Sequence, residues 1–229
     1  MNMKKHQLVT KEMYLEQLKW SVWFMVFLIL ARVGYYVLAS FRDELNPIEP
    51  FISFSADVTV VYMLVIGLFS TYAFLGPMVS HGISRRDYYQ GTIFSLIGLT
   101  GSFFIATVLL SLLETIAFQL IDPSISISSA VLTTYAEYVT ALFFSYIIGW
   151  FITLGFYRYA WLKGLGFILL ALSIQVIFDW GWGESVSYFG INLDETNFSF
   201  LFTIILSMFV SGLTLWLIWL VVRNIPVRM

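Results

Sequence analysis

With 229 residues, 59% of them hydrophobic, 19% aromatic and only 11% charged, and with a mean hydropathy of +0.85, the chain is too apolar for a soluble domain, so lipid must solvate much of its surface. A net charge of −2 without a basic tract leaves nothing for nucleic acid to bind, so no nucleic acid partner is expected. The absence of cysteine excludes disulfides, thiolate nucleophiles and Cys-based zinc sites.

The first predicted element is the lead-in from Leu8 to Lys19. Leu8, Leu15, Leu18 and Val22 fall close to one helical face, with Lys11, Glu12, Glu16 and Lys19 elsewhere. This pattern fits a short interfacial helix leading into the membrane, and it equally fits a charged tail.

Crossing a bilayer takes roughly 20 apolar residues for about 30 Å of hydrocarbon. Six stretches qualify: Trp20 to Phe41, Val58 to Leu75, Tyr88 to Leu120, Tyr135 to Phe156, Trp161 to Phe178, and Phe198 to Val222. The predicted fold is therefore an all-α, six-span, multi-pass membrane protein forming one transmembrane domain over residues 1–229. The first stretch is too long, and lacks a clear small-residue cleavage site, for a signal peptide.

In span one, Arg32 sits 12 residues in, about 18 Å along the helix and inside the hydrocarbon. Its charge requires a carboxylate partner, a polar cavity or an outward snorkel. Glu114 and Glu137, near the outer ends of spans three and four, are the candidate partners. Two readings stand, a charge on a substrate path or an interhelical ion pair, and the position past midspan favours the structural one.

After span two, Gly76-Pro77 is expected to stop or kink the helix, because proline lacks an N–H and clashes with the preceding turn. The polar segment Val79-Ser80-His81-Gly82-Ile83-Ser84-Arg85-Arg86-Asp87 follows. Ser84 and Asp87 fit a capping-box-like start to span three. Arg85 and Arg86 run against the local preference, since a helix N-terminus carries partial positive charge. A topology signal and a docking contact each explain them.

Span three carries Gly91, Ser95, Gly98, Ser102 and Ala106 at spacings that form one stripe of small side chains, suited to close helix packing within the chain or, less readily, against a second chain. In span five Gln175 reads as a helix–helix hydrogen bond. The loop after it holds Trp180, Trp182 and Tyr188, aromatic residues that suit the headgroup zone.

Orientation follows from lysine and arginine, which mark cytoplasmic flanks. Lys4, Lys5, Lys11, Lys19, Arg85, Arg86, Arg158, Lys163, Arg223 and Arg228 fall on one side. Asp43, Glu44, Glu49, Asp57, Asp122, Asp179, Glu184, Asp194 and Glu195 fall on the other, with Arg42 the only basic residue there. Both termini are expected in the cytoplasm, with the chain in a cell membrane of bacterial plasma-membrane type.

Catalytic machinery is hard to find. His6 and His81 are the only histidines, both on the cytoplasmic side of this topology, which leaves no intramembrane Ser–His pair or histidine metal cluster. No G-x-x-x-x-G-K-[ST] sequence occurs, so nucleotide hydrolysis would come from another chain.

Taken together, the lead-in, the six spans and the short connection between spans two and three resemble the membrane subunit, or permease, of a type-2 ATP-binding cassette (ABC) exporter. Gly82-Ile83-Ser84-Arg85-Arg86, followed by Tyr88 and Tyr89, resembles the stretch that small permeases of that family carry there. Tyr157-Arg158-Tyr159 and the terminal Arg223-Asn224-Ile225-Pro226-Val227-Arg228 resemble family features more weakly. The resemblance implies that Val79 to Asp87 act as a coupling helix docking onto a cytosolic ATPase subunit. It implies a second permease chain, identical or related, and ATP with Mg on the partner ATPase, with no cofactor and no enzyme activity in this chain. A non-transporting six-span protein, such as an immunity, sensor or assembly factor, explains hydropathy and topology equally well. A secondary transporter would be expected to show an internal repeat or more intramembrane ionisable residues.

Overall fold

The computed structural model describes residues 4–41, 49–121, 132–159, 161–183, 186–188, 191–193 and 198–225. Six helices among them are long and apolar enough to cross a membrane: α1 (Lys5–Ser40), α2 (Phe51–Ser80), α3 (Arg85–Ile121), α4 (Leu132–Arg158), α5 (Trp161–Gly181) and α6 (Phe200–Val222). Between α5 and α6, β1 (Val186–Tyr188) pairs antiparallel with β2 (Ile191–Leu193), Tyr188 opposite Ile191, in the segment expected at the headgroup zone. Of the charges used to orient the spans, Arg42, Asp43, Glu44, Asp122, Glu184, Asp194, Glu195 and Arg228 lie outside the described residues.

The lead-in is not a separate interfacial element. It is the first third of α1, which runs unbroken for 36 residues, about 54 Å. Its buried face is also not the expected one: Val9, Met13, Gln17 and Ser21 are buried, whereas Leu8, at 43% exposure, Leu15 and Val22 point outward. Lipid solvates leucine as well as a protein interior does, so what drives a face inward is its polar and small residues.

That inward face packs along the small stripe of α3. A Cβ on Gly91 would run into Val9, and one on Gly98 would come within 3.2 Å of the Tyr14 ring. Tyr14 and Ser102 hydrogen-bond at 2.7 Å, and Ser95 Oγ donates to Gln17 Oε1 at 3.2 Å. Gly91, Ser95, Gly98 and Ser102 thus serve packing within the chain, while half-buried Ala106 continues the same face.

Pro77 does not end α2. The helix widens into a π turn over Thr71–Leu75 and continues through Gly76–Ser80. The wider turn makes room for the ring, which would otherwise press on the carbonyl four residues earlier.

The most enclosed helix is α4, with every residue from Phe144 to Phe151 buried, as expected of a helix apolar all round. Its closest neighbour is α2. A Cβ on Gly67 would collide with the Tyr146 carbonyl, and one on Gly149 with the Leu64 carbonyl, so the two glycines let the backbones touch where the helices cross. On the other side of α4, Phe144 stacks on Phe178 of α5 with centroids 4.2 Å apart.

Three long-range bonds gather one end of the bundle. Lys5 Nζ donates to Gly82 O (2.8 Å), Arg85 Nη1 to Arg223 O (3.4 Å) and Arg158 Nη1 to Val221 O (3.2 Å). The start of α1, the α2–α3 and α4–α5 turns and the end of α6 therefore share a basic end. Glu49, Asp57, Glu114, Glu137 and Asp179 lie towards the opposite, acidic end.

Candidate functional site

At the basic end, the α2–α3 turn is fixed by local hydrogen bonds. Ile83 N–H donates to Met78 O (3.1 Å) and Gly82 N–H to Val79 O (3.0 Å), the paired bonds of a Schellman closure. Gly82 takes φ +78°, a left-handed conformation that a side chain would strain, and Ile83 and Met78 are both buried in the core. Ser80 Oγ and His81 Nδ1 both close onto Pro77 O, at 2.7 and 2.6 Å.

The next helix starts immediately. Ser84 Oγ accepts from Asp87 N–H (3.1 Å) and donates to the Asp87 carboxylate (2.6 Å), so Ser84 acts as the N-cap. Val79 and Ser80 finish α2, His81 to Ser84 turn the chain, and Arg85 to Asp87 begin α3. The polar segment forms a tight helix–turn–helix corner.

Its two arginines have different surroundings. Half-buried Arg85 points at the C-terminal carbonyls of α6, as Arg158 does from α4. A cation is unfavourable at its own helix N-terminus but favourable at a neighbour's C-terminus, where carbonyls carry partial negative charge. Arg86 is exposed, with no hydrogen bond or ion pair among the described residues. It borders an open groove of about 450 Å³ with Tyr89, Gln90, Leu215, Trp216 and Trp219.

Towards the acidic end, Arg32 Nε donates to Glu114 Oε1 at 2.8 Å, with the two side chains only 5% and 8% exposed. Arg32 Nη2 also donates to Glu49 O, and Tyr36 OH to Glu114 Oε1. The second carboxylate oxygen accepts from Phe51 N–H (3.1 Å), at the start of α2, where a negative charge suits the helix dipole. The guanidinium lies over the rings of Phe54 (4.7 Å) and Tyr36 (4.8 Å). The pair therefore ties α1, α2 and α3 together, with Arg32 Nε and Nη2 and both Glu114 carboxylate oxygens hydrogen-bonded.

Glu137 is not part of this centre. It lines a separate cavity of about 420 Å³ between α2, α4 and α5, together with Gln175. Gln175 is not the bridge between helices that its place in the span suggested: its Nε2 donates to Asp179 Oδ1 (2.7 Å), one turn along the same helix.

The deepest polar link involves a residue that the sequence pattern did not single out. Gln17 is 0% exposed; its Nε2 donates to Tyr146 OH at 2.9 Å while its Oε1 accepts from Ser95, joining α1, α3 and α4. The available signal was its i, i+4 register with Met13 and Ser21. Among the described residues, no group of three or more His, Cys, Asp or Glu is placed to hold a metal.

Comparison with known protein families, curated proteins and solved structures finds no match to the chain. The geometry of the two ends therefore has to carry the functional reading.

Proposed function

We propose that the chain is the permease subunit of an ABC exporter, with both termini in the cytoplasm, paired with a second permease chain and driven by a separate cytosolic ATPase. The observation that carries this reading is the helix–turn–helix corner. It joins two membrane-length helices, its conformation is locked by caps at both sides, and it presents Arg86 without a hydrogen bond or ion pair among the described residues. A rigid corner transmits a push or pull on its surface directly into α2 and α3, which a loose loop would not do. The lysine and arginine bias of this end supports its cytoplasmic placement. Arg32, the one arginine inside the apolar span of α1, has its charge matched by Glu114, which fits a scaffold rather than a chemical engine.

The mechanism under this reading is alternating access powered from outside the chain. Closure of the ATPase subunits on ATP would displace the corner, and the α2–α4 crossing at Gly67 and Gly149 would carry that movement into the buried helix α4.

Purification in mild detergent from native membranes, scored for a copurifying ATPase and for ATP-driven export in reconstituted vesicles, tests the assignment. Arg86→Glu is expected to reduce ATPase recovery and transport at least tenfold while leaving the melting temperature of the chain unchanged. Recovery and transport equal to the unsubstituted protein would overturn the docking role.

A further inference from the structure

The groove beside Arg86 lies between α3 and α6, which are joined along its floor. Tyr89 OH of α3 donates to Leu215 O of α6 at 3.0 Å, and the Tyr89 ring packs on Trp219 with centroids 5.1 Å apart. At the deep end, beside Gly212, the space is empty: a Cβ on that residue would meet nothing within 4 Å. Leu215 and Trp216 line the rest of the α6 wall, Trp216 with more than half of its surface exposed.

The depth of the groove fits one leaflet. Gly212 lies 10 residues before Val222, the last residue of α6, which is about 15 Å into the span and half of the roughly 30 Å of hydrocarbon. The groove therefore runs from the membrane surface at Arg86 to about the midplane. A water-soluble partner would have to enter the bilayer to fill it, whereas a lipid is already there.

Charge is confined to the shallow end. Arg86 is exposed and Gln90, one turn deeper on α3, is half-buried; neither side chain has a hydrogen bond among the described residues. Arg223, four residues past Trp219 and so on the same face of α6, is also exposed, and its guanidinium makes no hydrogen bond or ion pair among the described residues. No Asp or Glu lines the groove, and Asp87, next to Arg86 in sequence, is closed onto Ser84.

Guanidiniums and an amide at the mouth of an apolar trough suit a phosphate that carries an acyl chain. A headgroup with its own ammonium would bring a further cation beside the arginines, whereas a net-negative headgroup would not. We propose that this groove binds an anionic phospholipid of the leaflet at the basic end. Its phosphate lies between Arg86 and Arg223, Gln90 donates to an ester oxygen, and one acyl chain runs along Leu215 and Trp216 to the space beside Gly212. The site does not depend on the permease reading. A guanidinium has five N–H donors, so a phosphate on the membrane side of Arg86 leaves others for a protein on the cytoplasmic side.

The test is native mass spectrometry of the full chain released from uncharged detergent micelles that hold equal amounts of phosphatidylglycerol and phosphatidylcholine, whose masses identify the bound lipid. The expected result is one phosphatidylglycerol retained per chain, at least tenfold over phosphatidylcholine and not displaced by excess inorganic phosphate. Arg86→Gln and Arg223→Gln, both at exposed positions that should not disturb folding, are each expected to lower that preference several-fold, and Gly212→Leu to abolish retention by filling the deep end. Equal retention of the two lipids, a preference indifferent to Arg86→Gln, or displacement by inorganic phosphate would overturn the proposal. Since no ATPase is present in this measurement, failure here leaves the docking assignment standing.

Discussion

Arg32 and Arg86 carry the same guanidinium, but the chain surrounds them in opposite ways. Around Arg32, the Glu114 carboxylate of α3, the Glu49 carbonyl just ahead of α2 and the rings of Tyr36 and Phe54 meet the guanidinium. Around Arg86, a capped backbone leaves the side chain exposed, with no hydrogen bond or ion pair among the described residues. Arg85, its neighbour in sequence, sides with Arg32, because it is spent on the end of α6. A buried charge is tolerated only when it is matched inside the chain, whereas an exposed one is free for a partner. The contrast therefore separates scaffold from contact surface.

Breaking the matched centre is expected to have the largest effect. Glu114→Ala leaves Arg32 buried without its counter-charge and also removes the acceptor at the start of α2, at a cost of about 3–5 kcal/mol. Thermal unfolding in detergent should show this as a large fall in melting temperature. The double variant Arg32→Met with Glu114→Leu should recover most of the loss. If Glu114→Ala is as stable as the parent, the centre is not structural.

Next comes the backbone crossing. Gly149→Ala places a methyl group against the Leu64 carbonyl and should cost about 1–3 kcal/mol by overpacking. The same substitution at Gly212, where a Cβ meets nothing within 4 Å, serves as control. Equal melting temperatures for the two variants would show that α2 and α4 do not touch as described.

A smaller effect is expected at the corner itself. Ser84→Ala removes the N-cap of α3 and should cost about 1 kcal/mol. Faster hydrogen exchange confined to the first turn of α3 is the expected readout. Protection unchanged at Arg86 and Asp87 would mean that the cap does not hold the corner.

Which of these features were legible in the sequence follows from how local their causes are. The six spans rest on stretches of hydropathy, and the Ser84–Asp87 cap rests on a three-residue spacing, so both could be read from neighbouring residues. The small stripe of α3 was visible, although its partner, the inner face of α1, was not. Leu8, Leu15 and Val22 drew attention because water-soluble helices bury such residues, yet in lipid Gln17 and Ser21 turn inward and the leucines stay out. Gly67 and Gly149 look scattered along the chain and acquire meaning only when α2 and α4 cross. Of the two outcomes expected at Pro77, a stop is excluded: a π turn one step earlier lets the helix continue, and no residue type announces it. At the acidic end, the choice of Glu114 over Glu137 for Arg32 depended on which helices are neighbours, which hydropathy does not encode.

The claim that the α2–α3 corner is a docking surface can be tested directly, because the chain contains no cysteine and a single introduced thiol is unique. A photo-crosslinker attached at Arg86→Cys, compared with one attached at Asp57→Cys near the acidic end, should yield an adduct with an ATP-hydrolysing subunit from the first position and none from the second. No adduct at position 86, or equal adducts from both positions, would contradict the account.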